Sequence, residues 1–391
     1  MNHRSETGRS HRSSFTLTSA LGSAALAIML ALSMLYPAQQ LAPITKRLVP
    51  LKRVVNARAR GETFTCAALA GRSDYNICIN SDMTVSCNCQ DFSGTGKIGD
   101  LRGQSLTDVF DGPVVRRFLA ELAEGLFPTD VCPICSELQP LPREALAAGI
   151  PQGSPPSKGI MVENTAVCNL SCDLCRRDEL LGHRRQRSWS LDDASKVALA
   201  LNKAAVDTIF FFSLGEPFIS NSVLEQVRHI RSANPDARIV TSTNGILLDT
   251  LEKLEAALLM DYVYVSLDGI DQQTVEKYQV GGDFERTYRN MSRLVELRNE
   301  RHRKEGGVTL PIIEWKYVTF RHNDRPAHIR QAVDLALRAG VDVLGFCRGA
   351  AALPKRSLRF GRDPVFSEVG TPHGENIIVN FAGIPEHLLG P

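Results

Sequence analysis

From Lys158 to about residue 350, short apolar runs alternate with stretches of helical periodicity, and this rhythm leaves the chain very few architectures. The runs Gly159–Asn164, Thr208–Leu214, Arg238–Ser242, Tyr262–Leu267, Ile312–Phe320 and Val343–Phe346 read as strands. Between them lie Leu191–Ala205, Ser222–Ala233, Leu247–Leu259, Phe284–Arg303 and Pro326–Ala339, whose apolar residues recur at helical spacing. Strand, helix and strand in succession with short connections build a parallel sheet with crossover helices. Six such units are too few for a closed eight-unit barrel, so the expected fold is α/β, an open partial (βα)6 TIM-like barrel.

The ten cysteines are grouped rather than scattered. Cys168, Cys172 and Cys175 fall within one turn-rich loop directly after the first strand, where βα folds collect their active sites. The i, i+4, i+7 spacing also suits an apolar helix stripe. Asn169, Ser171 and Asp173 argue for a loop instead, because their side chains compete with helical hydrogen bonds. Three thiolates in one loop can bind three irons of a four-iron cubane. The fourth iron then keeps an open position that S-adenosylmethionine (SAM) can chelate through its amino and carboxylate groups. A zinc ion would want a fourth protein ligand, which His183 could supply.

The C-x3-C-x2-C pattern after the first strand resembles the signature of the radical SAM superfamily, and the resemblance runs over about residues 158–350. Leu214-Gly215-Glu216-Pro217, at the end of strand two, is similar to the family's GGEP element, with Leu214 in place of the first glycine. Ser242-Thr243-Asn244-Gly245 and Ser266-Leu267-Asp268-Gly269 end strands three and four. Leu174 stands where the family usually has an aromatic residue. The resemblance implies an enzyme whose [4Fe-4S] cluster, on Cys168, Cys172 and Cys175, cleaves SAM to a 5′-deoxyadenosyl radical. It implies cofactor-binding roles for Gly215, Glu216, Ser242, Asn244, Ser266 and Asp268, with Glu216 accepting from the SAM ammonium. It also implies an electron donor such as flavodoxin or ferredoxin. Catalytic side chains beyond these are not readable.

Residues 61–139 form a second cysteine-bearing unit. Alternating apolar residues at Ile77–Ile79 and Met83–Val85 suggest two strands around a turn at Asn80–Asp82, and Gln104–Leu126 has the spacing of one helix. Cys66, Val85-Ser86-Cys87, the run Gly96 to Leu101, the run Ser105 to Phe110, and Cys132-Pro133-Ile134-Cys135 resemble a SPASM domain, placed here before the barrel rather than after it. That resemblance implies an auxiliary [4Fe-4S] cluster on Cys66, Cys87, Cys132 and Cys135, with Cys89 as an alternative to Cys87 and Cys78 as a spare. It favours a peptide or protein substrate. A structural zinc site and buried free thiols are the competing readings.

Residues 140–157, rich in Pro, Gly and Ser, read as a linker, and 351–391 as a weakly patterned tail. Within the N-terminal segment 1–60, Phe15 to Tyr36 carries no charge, and a helix of that length reaches about 33 Å, enough for a bilayer core of ~30 Å. A signal anchor, a cleaved signal and an extension from a mis-assigned start remain open readings of it. Six basic residues from Lys46 to Arg60 against three arginines before the span would place the body on the cytoplasmic side of a membrane. The net charge of +2 implies no basic face and so no nucleic-acid partner. Arg176, Arg177, Arg184, Arg185 and Arg187 read as a solvated face, with an acidic-substrate site as the sharper alternative, and Cys347 as a core thiol at the end of strand six. Two rival functions stay open: a non-catalytic iron–sulfur or zinc protein that binds or senses redox state, and a secreted disulfide protein.

Overall fold

A computed structural model describes residues 50–306, 310–349, 351, 354–359 and 378–380. The uncharged run 15–36 lies outside them. Among the described residues no helix is long and apolar enough to cross a membrane.

The chain builds a ten-stranded sheet and a separate two-stranded ribbon. The strands are β1 (Glu62–Cys66), β2 (Cys78–Ile79), β3 (Thr84–Ser86), β4 (Lys97–Asp100), β5 (Leu138–Pro142), β6 (Gly159–Val162), β7 (Thr208–Phe211), β8 (Arg238–Thr243), β9 (Tyr262–Ser266), β10 (Ile312–Thr319), β11 (Val343–Arg348) and β12 (Ile378–Asn380). In the large sheet the order is β12-β11-β10-β9-β8-β7-β6-β2-β3-β4. From β6 to β12 every neighbour is parallel and the order never reverses. A doubly wound sheet reverses its order part-way, whereas an unreversed one curls into a barrel wall. The expected α/β partial barrel is therefore the fold.

Period-two alternation on the barrel strands separates two faces. Ile209, Phe211, Ile239, Val263, Val265, Ile313, Trp315, Tyr317, Leu344 and Phe346 are fully buried on the outer face. Phe210, Ser242, Tyr264, Ser266, Lys316, Val318 and Cys347, at the intervening positions, are only half-buried and line the barrel interior. The covering helices sit where periodicity placed them: Leu191–Lys203, Val223–Ala233, Leu251–Leu258, Phe284–Glu305 and Pro326–Ala339. Local chemistry sets several starts. Ser190 and Asp193 form a capping box, and Thr250 and Asp283 cap with their side chains.

Three local expectations change. The single helix over Gln104–Leu126 is two, Leu106–Phe110 and Pro113–Glu124, because Pro113 has no N–H to continue the ladder and Gly112 serves as the new N-cap. Residues 140–157 are not bare linker. β5 pairs antiparallel with β1, Arg143–Ala148 makes a 3-10 turn, and Ser154 bridges Ala70. The hairpin around Asn80–Asp82 is present as β2–β3, but β2 also pairs in parallel with β6, so these strands extend the barrel sheet.

Candidate functional site

The triplet loop leaves the carboxyl end of β6 and is fastened on every side. Ala166 N and Thr165 Oγ1 donate to Arg187 O, and Asn164 Nδ2 donates to Pro217 O (3.1 Å) and Gln226 Oε1 (3.0 Å). Further along, Ser171 N donates to Val280 O (3.0 Å) and Asp173 N to Tyr278 O (2.9 Å). The Arg177 guanidinium donates to the carbonyls of Cys168 (3.3 Å) and Leu170 (2.8 Å). The loop conformation is thus set by its neighbours rather than by helix propensity, as Asn169, Ser171 and Asp173 suggested.

Gly215 lets strand two's end lie on this loop. A Cβ there would stand 2.0 Å from Thr165 O, and Glu216 N donates to Val167 O at 2.8 Å. The Glu216 side chain is buried and heavily engaged: Oε1 accepts from Thr243 Oγ1 (2.7 Å) and Phe218 N (3.2 Å), and Oε2 from Asn244 N (2.8 Å). Burial pushes its carboxyl up, while these donors oppose that. A carboxylate has about four lone-pair sites, so an ammonium group would share this one with three protein donors. In this structure Glu216 chiefly joins the ends of β7 and β8.

Asn244 carries that link to the cysteines. Its Nδ2 donates to Asn169 Oδ1 (2.9 Å) and lies 4.0 Å from Cys168 Sγ. Ser242 and Ser266 place their hydroxyls 3.4 Å apart on the inner wall. Asp268 is buried, accepts from Val318 N at 2.6 Å and is pushed up to about 7 by desolvation. Its charge reaches Cys172. Of the six residues expected around the cofactor, Gly215, Glu216 and Asn244 touch the cysteine loop, while Ser242, Ser266 and Asp268 lie at neighbouring strand ends. Burial pushes the Cys172 thiol up to about 12 and raises Cys168, with neighbouring thiols adding to both, while Cys175 is exposed. Thiols that disfavour each other's ionisation suit a cationic group that would take them up together as thiolates.

Two other ligand readings can be compared with the geometry. Gly94 packs against the His183 ring, 3.0 Å from where its Cβ would be. Among the described residues no three His, Cys, Asp or Glu side chains converge as a ready single-ion site. None of the ten cysteines is disulfide-bonded. The donor set, three thiols on one loop with an amide directed at one sulfur, suits a cluster whose irons each take one thiolate.

The second cysteine group is also drawn together. Cys87 feels the charges of Cys66, Cys132 and Cys135, and Cys66 those of Cys135 and Cys132. Thr129 Oγ1 lies 3.1 Å from Cys132 Sγ, and Asn88 Nδ2 donates to Cys135 Sγ at 3.3 Å. Gly99 is sterically required, since a Cβ there would meet Val109 Cγ2 at 2.4 Å, and one on Gly96 would press on Cys87 Sγ at 3.1 Å. Cys89 points toward Asn76 Oδ1 (3.5 Å), and Cys78 is buried beside Glu163 and Arg184.

Arg176, Arg185 and Arg187 are exposed as the solvated-face reading expects, and Arg184 is its correction. The Arg184 side chain is 4% exposed, and its Nε donates to the fully buried Glu163 at 2.8 Å. Arg184 Nη2 reaches Asn80 Oδ1 (2.8 Å), and Ser81 N donates to Glu163 Oε1 (3.1 Å), so the pair bolts the hairpin to β6. Tyr278 and Val280 escaped the sequence reading, and Arg177 entered it only as part of a solvated face. Arg177's place right after the third cysteine was the available signal; the other two are joined to the loop by backbone alone.

Comparison with known proteins bears on this arrangement. Residues 162–318 match the model of the radical SAM superfamily. Over that stretch the chain is similar to a radical SAM domain. That similarity supports an enzyme's fold over the matched stretch. A probable GTP 3′,8-cyclase of Methanocaldococcus jannaschii is 32% identical over 146 residues, 36% of this chain and 46% of that protein. A GTP 3′,8-cyclase of Peptoclostridium acidaminophilum is 28% identical over 128 residues, 32% of this chain and 39% of that protein. The chain thus spans less than half the length of these curated relatives. Among solved structures, Streptococcus suis SuiB superposes with a TM-score of 0.44 at 13% identity, covering 60% of this chain and 50% of that one.

Proposed function

We propose that the chain is a radical SAM enzyme whose catalytic [4Fe-4S] cluster sits on Cys168, Cys172 and Cys175. When bound, the cluster supplies the electron that cleaves the SAM sulfonium, leaving a 5′-deoxyadenosyl radical to take hydrogen from a substrate. The observation that carries the reading is the fastening of the three-thiol loop to the strand ends of a radical SAM domain, through Glu216 N to Val167 O and Asn244 to Asn169 and Cys168.

The chain's own groups do the positioning. Arg177 holds the carbonyls of Cys168 and Leu170 and so fixes the shape of the loop. Glu216 keeps β7 and β8 in register beneath the cofactor space and retains one lone-pair site for the SAM ammonium. Ser242, Ser266 and Asn244 supply neutral donors and acceptors for its polar groups, and buried Asp268 braces β10 behind them. The half-buried inner wall gives a substrate room to approach.

The second thiol group supports an auxiliary cluster on Cys66, Cys87, Cys132 and Cys135, since each of Cys66 and Cys87 senses both Cys132 and Cys135. Cys89 faces Asn76 and is the weaker candidate. Flavodoxin or ferredoxin would supply electrons, and the SPASM-like spacing favours a peptide or protein substrate. The test is anaerobic reconstitution with iron and sulfide, followed by an assay for 5′-deoxyadenosine from SAM. Iron should approach about eight per chain. Zinc in place of a cubane at the triplet, or no 5′-deoxyadenosine, would overturn the reading.

A further inference from the structure

The inner wall formed by β9, β10 and β11 carries a cation with no fixed counter-ion. Lys316 lies in register with Ser266 on β9 and Gly345 on β11, and shares the half-buried inner face with Tyr264 and Cys347. Its ammonium stands 5.4 Å from the centroid of the Tyr264 ring. Its charge is felt by Asp268, Glu314 and Cys347.

The nearby carboxyls are committed elsewhere. Glu314 accepts from Tyr262 Oη, and Asp268 Oδ1 accepts from Val318 N. Burial pushes the Glu314 carboxyl up to about 7, which weakens it further as a permanent counter-charge. Among the described residues Lys316 forms no ion pair. A partly desolvated ammonium over an aromatic ring, without an ion-pair partner among the described residues, is a receptor for an oxyanion.

We propose that Lys316 anchors an oxyanion of the substrate, a carboxylate or a phosphate, inside the barrel. As a statement about substrate this rests on the radical SAM reading; as a statement about anion binding it does not. The same charge could instead meet the carboxylate of SAM, so the test must tell the two apart.

Calorimetric titration of the reconstituted, SAM-saturated full chain with succinate and with inorganic phosphate, each at constant ionic strength, supplies the test. At least one anion should bind, Lys316→Met should weaken that binding tenfold or more, and Lys316→Arg should keep it within about threefold. The SAM dissociation constant of Lys316→Met, measured separately, should stay within about twofold of the parent. No binding of either anion to the parent, unchanged binding by a folded, iron-loaded Lys316→Met, or a tenfold loss of SAM affinity in that variant would each overturn the proposal. Failure of the parent to make 5′-deoxyadenosine would sink the radical SAM reading while leaving the anion titration interpretable.

Discussion

Replacing Gly215 by alanine tests the claim that strand two's end must lie on the cysteine loop. The added Cβ would sit 2.0 Å from Thr165 O, 2.7 Å from Thr165 C and 3.0 Å from Ala166 Cα, all backbone atoms that cannot swing aside. To reach ordinary contact the two segments must part by more than an ångström. Overpacking of this kind costs about 1–3 kcal/mol, and separation also strains the Glu216 N to Val167 O bond, worth roughly 1 kcal/mol. The total, about 2–4 kcal/mol, should appear as a lower urea midpoint with unchanged slope. A reacting group misplaced by about 1 Å can lose roughly 10²-fold in rate, so 5′-deoxyadenosine formation should fall by that order. Gly103→Ala is the control, because nothing lies within 4 Å of its Cβ position, and it should change stability by less than about 0.5 kcal/mol. A Gly215→Ala protein with the parent's midpoint and rate would refute the argument.

Further outcomes follow from the same geometry. Joint replacement of Cys168, Cys172 and Cys175 by alanine should abolish 5′-deoxyadenosine formation while leaving about four irons per chain, measured by colorimetric iron analysis; retained activity would exclude the triplet as the catalytic ligands. Arg184→Met removes the partner of a fully buried carboxylate and should cost about 3–5 kcal/mol in chemical denaturation. Burial raises Glu314 from 4.5 to about 7, so over that window the folded chain holds a proton that the unfolded chain has released. The contribution of Glu314 to stability should therefore decline as pH rises through the window, by at most about 1.4 kcal/mol per pH unit, and Glu314→Gln should reduce the overall slope, to which the raised Asp268 also adds, in urea titrations.

The barrel was legible because its signals are local. Runs such as Ile209–Phe211 and Val263–Val265 are apolar enough to declare strands, and Ser190, Thr250 and Asp283 announce the helices after them. The triplet's loop character was legible for a similar reason, from Asn169, Ser171 and Asp173. Illegible features depend on partners distant in sequence. β5 read as linker because Pro140 and Pro142 suggest irregular chain; only β1, more than seventy residues earlier, makes it a strand. Arg184 looked like one of several solvated arginines because Glu163, its partner, sits on a strand twenty-one residues away. Glu216 was recognised as important, but its engagement by Thr243 and Asn244 required the two strand ends to be side by side.

The parallel pairing of β2 with β6 has a practical consequence for anyone dividing this chain. A barrel expressed from residue 158 onward would begin with a naked, wholly apolar border strand, since Met161 and Val162 would lose Cys78 and Ile79 as their lateral cover. Such borders recruit other chains and precipitate. The cysteine-bearing hairpin thus doubles as a bumper against self-association, and the two halves should be produced, and are best regarded, as one inseparable folding body.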